Sequence, residues 1–309
     1  LAYIYDTLRS RFPEQCFVDC YMDPIMQKEG LTPDQKLRNA LYKPLPMREK
    51  NLKQINIIGN DFPTREETEL KTIAKAAGYT VKDITECEGY EEYLSMSESF
   101  LNIACYPLAK YGAEQLSKRL GMKFLYLPFS FHYDEINAQL KSLVKEMPGA
   151  VMPDTSLLRK RCERILQETK ELVGDTKITI DATVVPRLTR LLISHGFSVE
   201  RIFTDAFSAE EKEDYLWLKE NAPNLKVCAT IHPNMRVYPR NPQEKILAIG
   251  QKAAYFSGTE HFVNMVEGGG LHGYDGICEL CQKIQQAYQT KKDTKDLVVR
   301  KGLGCESCI

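Results

Sequence analysis

Ser99-Phe100-Leu101-Asn102-Ile103-Ala104-Cys105-Tyr106-Pro107 is a short apolar run that ends in a cysteine, with a proline two residues later. The run reads as a buried strand. Pro107 suits the first turn of a helix, where a missing N–H costs little. In an open α/β sheet the residue just past the carboxyl end of a strand lies at the mouth of the binding crevice. Cys105 is therefore expected at such a crevice, beside a helix N-terminus whose dipole favours a thiolate. Taken alone, the segment reads sooner as a buried structural cysteine, since free Cys is among the most buried residue types.

Outward from this strand the rhythm is strand then helix. Gln54–Asn60 reads as a strand closed by glycine, and Pro63–Glu67 as a helix start with Thr64 as N-cap and Glu67 completing a capping box. A second strand follows at Tyr79–Ile84. The strand ending at Ala104 is followed by a helix to Leu120 that Gly121 ends, then by a strand at Phe124–Leu127 and a helix at Tyr133–Val144. After a long helix over 153–173, the rhythm resumes with strands at Lys177–Ile180, Ser198–Phe203 and Leu225–Ala229. This alternation predicts βαβ units and parallel sheets. The fold expected is α/β, with two Rossmann-like domains at 51–150 and 151–309, the second of similar topology to the first and ending in a C-terminal helix and tail. A partial N-terminal segment at 1–50 reads as irregular. Two such domains facing one another would leave a cleft between strand ends.

Composition narrows the function classes. The chain is 309 residues long, 43% hydrophobic and 27% charged, with a formal net charge of −1. Such a balance gives no global basic field for nucleic acid or an anionic membrane. No run of about 18 apolar residues predicts a membrane-spanning helix. Ten cysteines without a secretory signal favour a reducing, cytoplasmic setting over a disulfide scaffold. The sequence opens at Leu1 as if in mid-helix, so we expect it to start inside a longer protein.

Other stretches carry possible chemistry. Cys16 and Cys20 are spaced to share one face of a strand, a weak metal signal beside the reading of two ordinary thiols. Cys305 and Cys308 form a terminal CxxC, and Cys278 and Cys281 another inside a predicted helix; together they could in principle make a four-thiolate site, although the linker between them is charged. Gly268-Gly269-Gly270-Leu271-His272-Gly273-Tyr274-Asp275-Gly276 allows close backbone approach to a ligand, but it is not a GxGxxG or Walker loop. His272 reads equally as a site residue or a helix cap, Asp275 as a cap, and Lys252 as an anion-holding or merely exposed lysine. Arg187, at a helix start, reads as an anion binder or a surface residue. His132, His195 and His232 have no partners at metal spacing.

Three stretches resemble one family, the nitrogenase component 1 type oxidoreductases. Leu101–Tyr106 with Lys118–Phe129 resembles the segment bearing the cysteine ligand of the active-site cofactor. Asp181-Ala182-Thr183-Val184-Val185-Pro186-Arg187 resembles the start of the family's later α/β domain. Gly250-Gln251-Lys252, with Leu271-His272-Gly273-Tyr274-Asp275-Gly276, is similar to its Gly-x-Lys and His-Gly-Tyr-Asp-Gly stretches. The resemblance implies an oxidoreductase subunit with an iron–sulfur-type cluster in the interdomain cleft and a substrate it does not name. Cys105 would be the metal ligand, with Lys252, Gly269, Gly270 and His272 around the cofactor and Cys16, Cys20, Cys305 and Cys308 as further possible ligands. It implies two partners, a homologous component 1 subunit and an ATP-dependent iron–sulfur reductase. The sequence also departs from the family. Where nitrogen-fixing members place a histidine ligand shortly before the His-Gly-Tyr-Asp-Gly stretch, this chain has Val263, Asn264 and Met265, and His261 falls in the preceding strand. The cysteines of the bridging electron-transfer cluster would lie upstream of Leu1. Two other readings stand beside the oxidoreductase: a scaffold or carrier that assembles a metal cluster without turnover, and a cleft-type module that binds a small anion without metal.

Overall fold

A computed structural model describes residues 2–20, 30–181, 185–238, 245–265 and 270–293. The chain forms two compact units. Leu1–Glu66, Leu70–Pro128 and Lys141–Val151 make the first; Glu67–Glu69, Phe129–Leu140 and Met152–Ile309 make the second.

The first unit opens with two helices where the sequence reads as irregular, α1 (Ala2–Arg11) and α2 (Pro33–Leu41). A capping box starts α2: Thr32 Oγ1 accepts the Gln35 N–H at 3.2 Å, and Gln35 Oε1 accepts the Thr32 N–H at 2.9 Å. Pro33 fills the first helical position. Then come β1 (Asn51–Ile57), α3 (Glu69–Ala76) from Leu70 on, β2 (Thr80–Asp83), α4 (Tyr90–Ser95), β3 (Ser99–Ala104), α5 (Lys110–Leu120) and β4 (Lys123–Tyr126). The helix expected from Pro63 starts later, at Glu69. Thr64 is no cap: its N–H is held by Asp83 Oδ2 at 3.0 Å and its hydroxyl by Asn60 Nδ2 at 2.9 Å. A tertiary carboxylate thus takes the backbone group that a local capping box would need.

All strand pairs of this sheet are parallel, in the order β2-β1-β3-β4. The two central strands carry a buried polar ladder. Asn56 lies opposite Asn102 in the register and donates to its Oδ1 at 2.8 Å. Ser99 Oγ donates to Asn56 Oδ1 at 2.7 Å, and Asn102 Nδ2 donates to Ser117 Oγ of α5 at 2.9 Å. Each amide is inaccessible to water, and each is satisfied, as burial of a polar group demands.

The second unit contains α6 (Tyr133–Glu146) as far as Leu140, α7 (Thr155–Val173), β5 (Lys177–Ile180), α8 (Val185–Ser194), β6 (Val199–Phe203), α9 (Lys212–Asn221), β7 (Lys226–Cys228), β8 (Ile246–Ile249), α10 (Gln251–Ser257), β9 (Phe262–Val263) and α11 (Gly273–Gln289). Asp154 caps α7, its carboxylate accepting the Ser156 and Leu157 N–H groups. The parallel sheet runs β7-β6-β5-β8-β9. Counted from β5 as the first strand, this is the 3-2-1-4-5 part of the dinucleotide-fold order, whereas the first unit runs 2-1-3-4. The two sheets are therefore not copies of one topology, as the shared rhythm had suggested. Strand–helix alternation fixes the parallel pairing but not the side to which each crossover turns. Among the described residues no helix is long and apolar enough to cross a membrane.

Candidate functional site at the strand switch points

An open parallel sheet has one place where neighbouring strands send their crossovers in opposite directions, and the loops part there to leave a crevice. In the first unit this point lies between β1 and β3. Gly59 follows β1 with φ +81°, and a Cβ there would lie 2.1 Å from Ala109 Cβ, so only glycine lets the two loops meet. Cys105 follows β3.

The loop after Cys105 is firmly held. Pro107–Ala109 forms a single 3-10 turn before α5, so the proline opens a tight turn and not the α-helix itself. Tyr106 is covered by the Arg38 guanidinium, 4.8 Å from its ring centre. Arg38 donates to the Gly59 carbonyl at 2.6 Å and pairs with Asp61 at 2.8 Å and Asp34 at 3.1 Å. One buried arginine thereby ties α2 to both loops of the switch point.

Cys105 is only 1% exposed, and its thiol makes no hydrogen bond among the described residues. Burial pushes its pKa well above the ordinary thiol value, and the Asp83 carboxylate adds to the shift. The expected thiolate is therefore not what this environment favours: a single 3-10 turn offers little dipole, and desolvation dominates.

In the second unit the switch point lies between β5 and β8. Asp181 follows β5 and Gly250-Gln251-Lys252 follows β8. The Lys252 N–H donates to Asp181 Oδ2 at 2.6 Å, joining the two strand ends. Gly250 turns the chain at φ +105°, in the region that favours glycine. The Lys252 ammonium reaches Asp205 Oδ2, past the end of β6, at 3.4 Å, and Thr230 Oγ1, past β7, at 3.5 Å. Thr230 Oγ1 also donates to that carboxylate at 2.6 Å, and the Ile231 N–H to its other oxygen at 3.1 Å. For Asp205, burial would raise the pKa, but these hydrogen bonds and the Lys252 charge together lower it. Gln251 Nε2 donates to Asn264 Oδ1 past β9 at 2.9 Å. Five strand ends thus contribute to one polar crest whose ammonium group is solvent-accessible. The sequence points to Lys252 but gives no signal for Asp181, Asp205 or Thr230, which only the strand order assembles.

His272 is 4% exposed, in extended backbone before α11, with its ring 6.3 Å from that of Phe129. Its side chain does not cap α11, and Asp275 lies in the first turn of the helix. The cap is Glu69: its carboxylate accepts the N–H groups of Tyr274 at 3.0 Å and Asp275 at 3.1 Å. Nothing in the sequence links residues 205 positions apart. Gly270, at φ +73°, is buried. Arg187 is spent inside the fold, donating to the Phe129 and Glu210 carbonyls and pairing with Glu135 at 3.1 Å and Asp214 at 3.4 Å. His232 accepts the Asn234 N–H and starts a 3-10 turn.

Cys16 is exposed, and Cys20 is half-buried with its pKa raised chiefly by burial. Cys278 and Cys281 are buried in α11, with Cys278 Sγ 3.6 Å from Cys162 Sγ of α7. Gly268, Gly269, Cys305, Cys308, the 21–24 end of the Cys16–Cys20 stretch and Ala182-Thr183-Val184 lie outside the described residues. Among the described residues no three His, Cys, Asp or Glu side chains are grouped to share a metal ion.

Residues 33–289 match the family described as nitrogenase component 1 type oxidoreductase. Among curated proteins, none matches the chain in sequence. Two solved structures share its fold. One, described as nitrogenase Cp1 at pH 6.5, is 15% identical with a TM-score of 0.58, over 84% of this chain and 65% of that one. The other, nitrogenase Cp1 at pH 5, is 15% identical with a TM-score of 0.54, over 83% of this chain and 61% of that one. The chain thus spans less than two thirds of the length of these structures.

Proposed function

As the chain belongs to the nitrogenase component 1 type oxidoreductase family, we propose that it is an oxidoreductase subunit whose chemistry is placed at the two switch points, with Cys105 anchoring an iron–sulfur-type cluster and Lys252 holding an anionic ligand or substrate. In this reading it works in the reducing cytoplasm with a homologous subunit and receives electrons from an ATP-dependent iron–sulfur reductase.

The observation that carries the reading is the position of Cys105: a thiol unbonded among the described residues, shut off from water, at the switch point of a parallel sheet. Such a thiol stays protonated by itself, but a metal centre deprotonates a coordinating thiol outright. The site therefore suits one anchoring ligand, with the remaining ligands supplied from beyond the described residues. When bound, the cluster would supply electron storage and transfer. The residues of this chain do the rest. Arg38, Tyr106 and Gly59 hold the loop of the anchor rigid, burial excludes water and oxidants from the sulfur, and Lys252 offers a fixed positive charge oriented by Asp205 and Thr230.

Anaerobic purification of the full-length protein, with iron and acid-labile sulfide measured, tests the proposal. Iron and sulfide should be present in the wild type and fall in Cys105→Ala. A colourless, iron-free protein with Cys105 intact overturns it. If iron is present, reduction by the partner with ATP distinguishes the enzyme from a scaffold that carries a cluster without turnover. The crest around Lys252 favours the metal-free anion-binding module as the second reading; binding of small anions that Cys105→Ala leaves intact and Lys252→Met removes, in an iron-free protein, would select it.

A further inference from the structure

Helices α7 and α11 pack against each other inside the second unit. They run parallel. Cys162 of α7 meets Tyr274 and Cys278 of α11, and two turns further on Thr169 Oγ1 accepts from Gln285 Nε2 at 2.8 Å. The facing side chains are small, and Cys162, Cys278 and Cys281 are all buried. Small residues at a helix crossing let the two backbones come close. The interface brings two sulfurs into contact, Cys162 Sγ and Cys278 Sγ at 3.6 Å, from positions 116 apart in the chain. Neither thiol belongs to the strand ends of the candidate site.

The two thiols are not equivalent. Cys162 Sγ donates to the Tyr274 carbonyl at 3.3 Å and faces the Cys278 sulfur. The contact with Cys278, with burial adding, holds Cys162 protonated. The same hydrogen bond draws the Cys278 thiol below its ordinary value against the opposing effect of burial, and the Arg161 charge assists. Cys281, one turn further along α11, has its pKa pushed up to about 12 by burial. Cys278 is therefore the sulfur with thiolate character, and Cys162 is the thiol poised beside it. A disulfide bond is about 2.0 Å long, so bonding needs the sulfurs to close by about 1.5 Å, which rotation about the two Cα–Cβ bonds can supply.

We propose that Cys162 and Cys278 are a redox-sensitive pair, which a small peroxide converts into a disulfide joining α7 to α11. The Cys278 thiolate attacks one oxygen of hydrogen peroxide. The O–O bond breaks, the sulfur becomes a sulfenic acid, and hydroxide leaves and takes up the proton that the thiol gave up. The Cys162 sulfur then attacks the sulfenic sulfur. The S–S bond forms, the S–O bond breaks, and the oxygen departs as water with the Cys162 proton. In total, two thiols and one peroxide give one disulfide and two waters. Hydrogen peroxide is close to water in size, so it needs a smaller opening of the interface than an alkylating reagent does. In a reducing compartment such a disulfide is transient and registers oxidant. It would fasten the first turns of α11, which Glu69 caps, to α7. The inference does not depend on a cluster at Cys105.

Treatment of the reduced, full-length protein with excess hydrogen peroxide under native conditions tests the pair. Remaining thiols are then blocked with N-ethylmaleimide in denaturant, and the chain is digested without reductant for mass mapping. The expected product is a linked pair of peptides holding Cys162 and Cys278, which dithiothreitol separates. The oxidised protein should also unfold at a higher urea concentration than the reduced one, because the link closes a loop spanning 116 positions. Cys281→Ser should keep both results, and Cys278→Ser should lose both. Cys162 and Cys278 still free once exposed Cys16 is fully oxidised, Cys162 linked to Cys281 instead, or an unchanged urea midpoint in the linked protein would each overturn the proposal.

Discussion

The Glu69 carboxylate accepts the backbone N–H of Tyr274 at 3.0 Å, so a side chain 205 positions earlier caps the last described helix. The cap explains the glycine between His272 and Tyr274. Gly273 has φ +64°, and a Cβ on it would lie 2.2 Å from Glu69 Oε2. Gly273→Ala should therefore destabilise the protein by roughly 2 kcal/mol or more, from a strained backbone and a displaced cap together. In Glu69→Ala the steric part disappears. A double-mutant cycle by urea denaturation should show the alanine at 273 costing clearly less in the Glu69→Ala background. Equal costs in both backgrounds would sink this account.

The same carboxylate sets a pH dependence. Burial, with the Asp275 charge adding, raises the Glu69 pKa to about 7, against the hydrogen bonds from the helix. A carboxyl group with a raised native pKa binds its proton more tightly in the folded chain. Its contribution is therefore favourable at acid pH, declines as pH rises from the unfolded value of about 4.5 toward 7, and is flat above. Asp205 and Asp214, both lowered, give the opposite slope at more acid pH, where their stabilising charge is lost as pH falls. Denaturation midpoints between pH 5 and 8 should fall with rising pH in the wild type and flatten in Glu69→Gln.

Thiol chemistry should follow burial. Alkylation of the native, reduced and metal-free protein should modify exposed Cys16 early and leave Cys105, Cys162, Cys278 and Cys281 unmodified until the chain unfolds. Mass mapping of labelled peptides reads this directly, and early labelling of Cys105 would contradict its placement.

The amide ladder should be intolerant of one-sided change. Asn102→Ala removes one buried partner each from the Asn56 amide, which keeps the Met96 carbonyl, and from the Ser117 hydroxyl, which keeps the Ala113 carbonyl; the loss should cost about 1–3 kcal/mol. Leucine at both 56 and 102 should cost less than the sum of the single changes, because the bond between the two amides is lost only once.

These features divide into what the sequence reveals and what only folding assembles. Strand–helix alternation, Gly121 as the end of α5 and Asp154 at the start of α7 are local signals, and each acts within a few residues. Thr64-x-x-Glu67 is an equally good local signal, yet the Asp83 carboxylate claims Thr64. The capping box that forms lies at Thr32–Gln35, where Pro33 adds to it. Within the candidate site, Cys105 and Lys252 are legible because they follow apolar runs. Asp181, Asp205 and Thr230 are not, since their convergence depends on strand order, a property of the crossovers. His132 looks solitary in sequence because its partner Asp214 lies 82 positions away.

At both switch points the turn is fixed by main-chain bonds and glycine conformation, with neighbouring residues such as Arg38 and Asp181 as braces. Neither the Cys105 sulfur nor the Lys252 ammonium is what closes the loop. A replacement at either position would alter reactivity while the scaffold beneath it survives. Lineages built on this architecture can thus trade one chemistry for another by single substitutions, without first having to reinvent a fold.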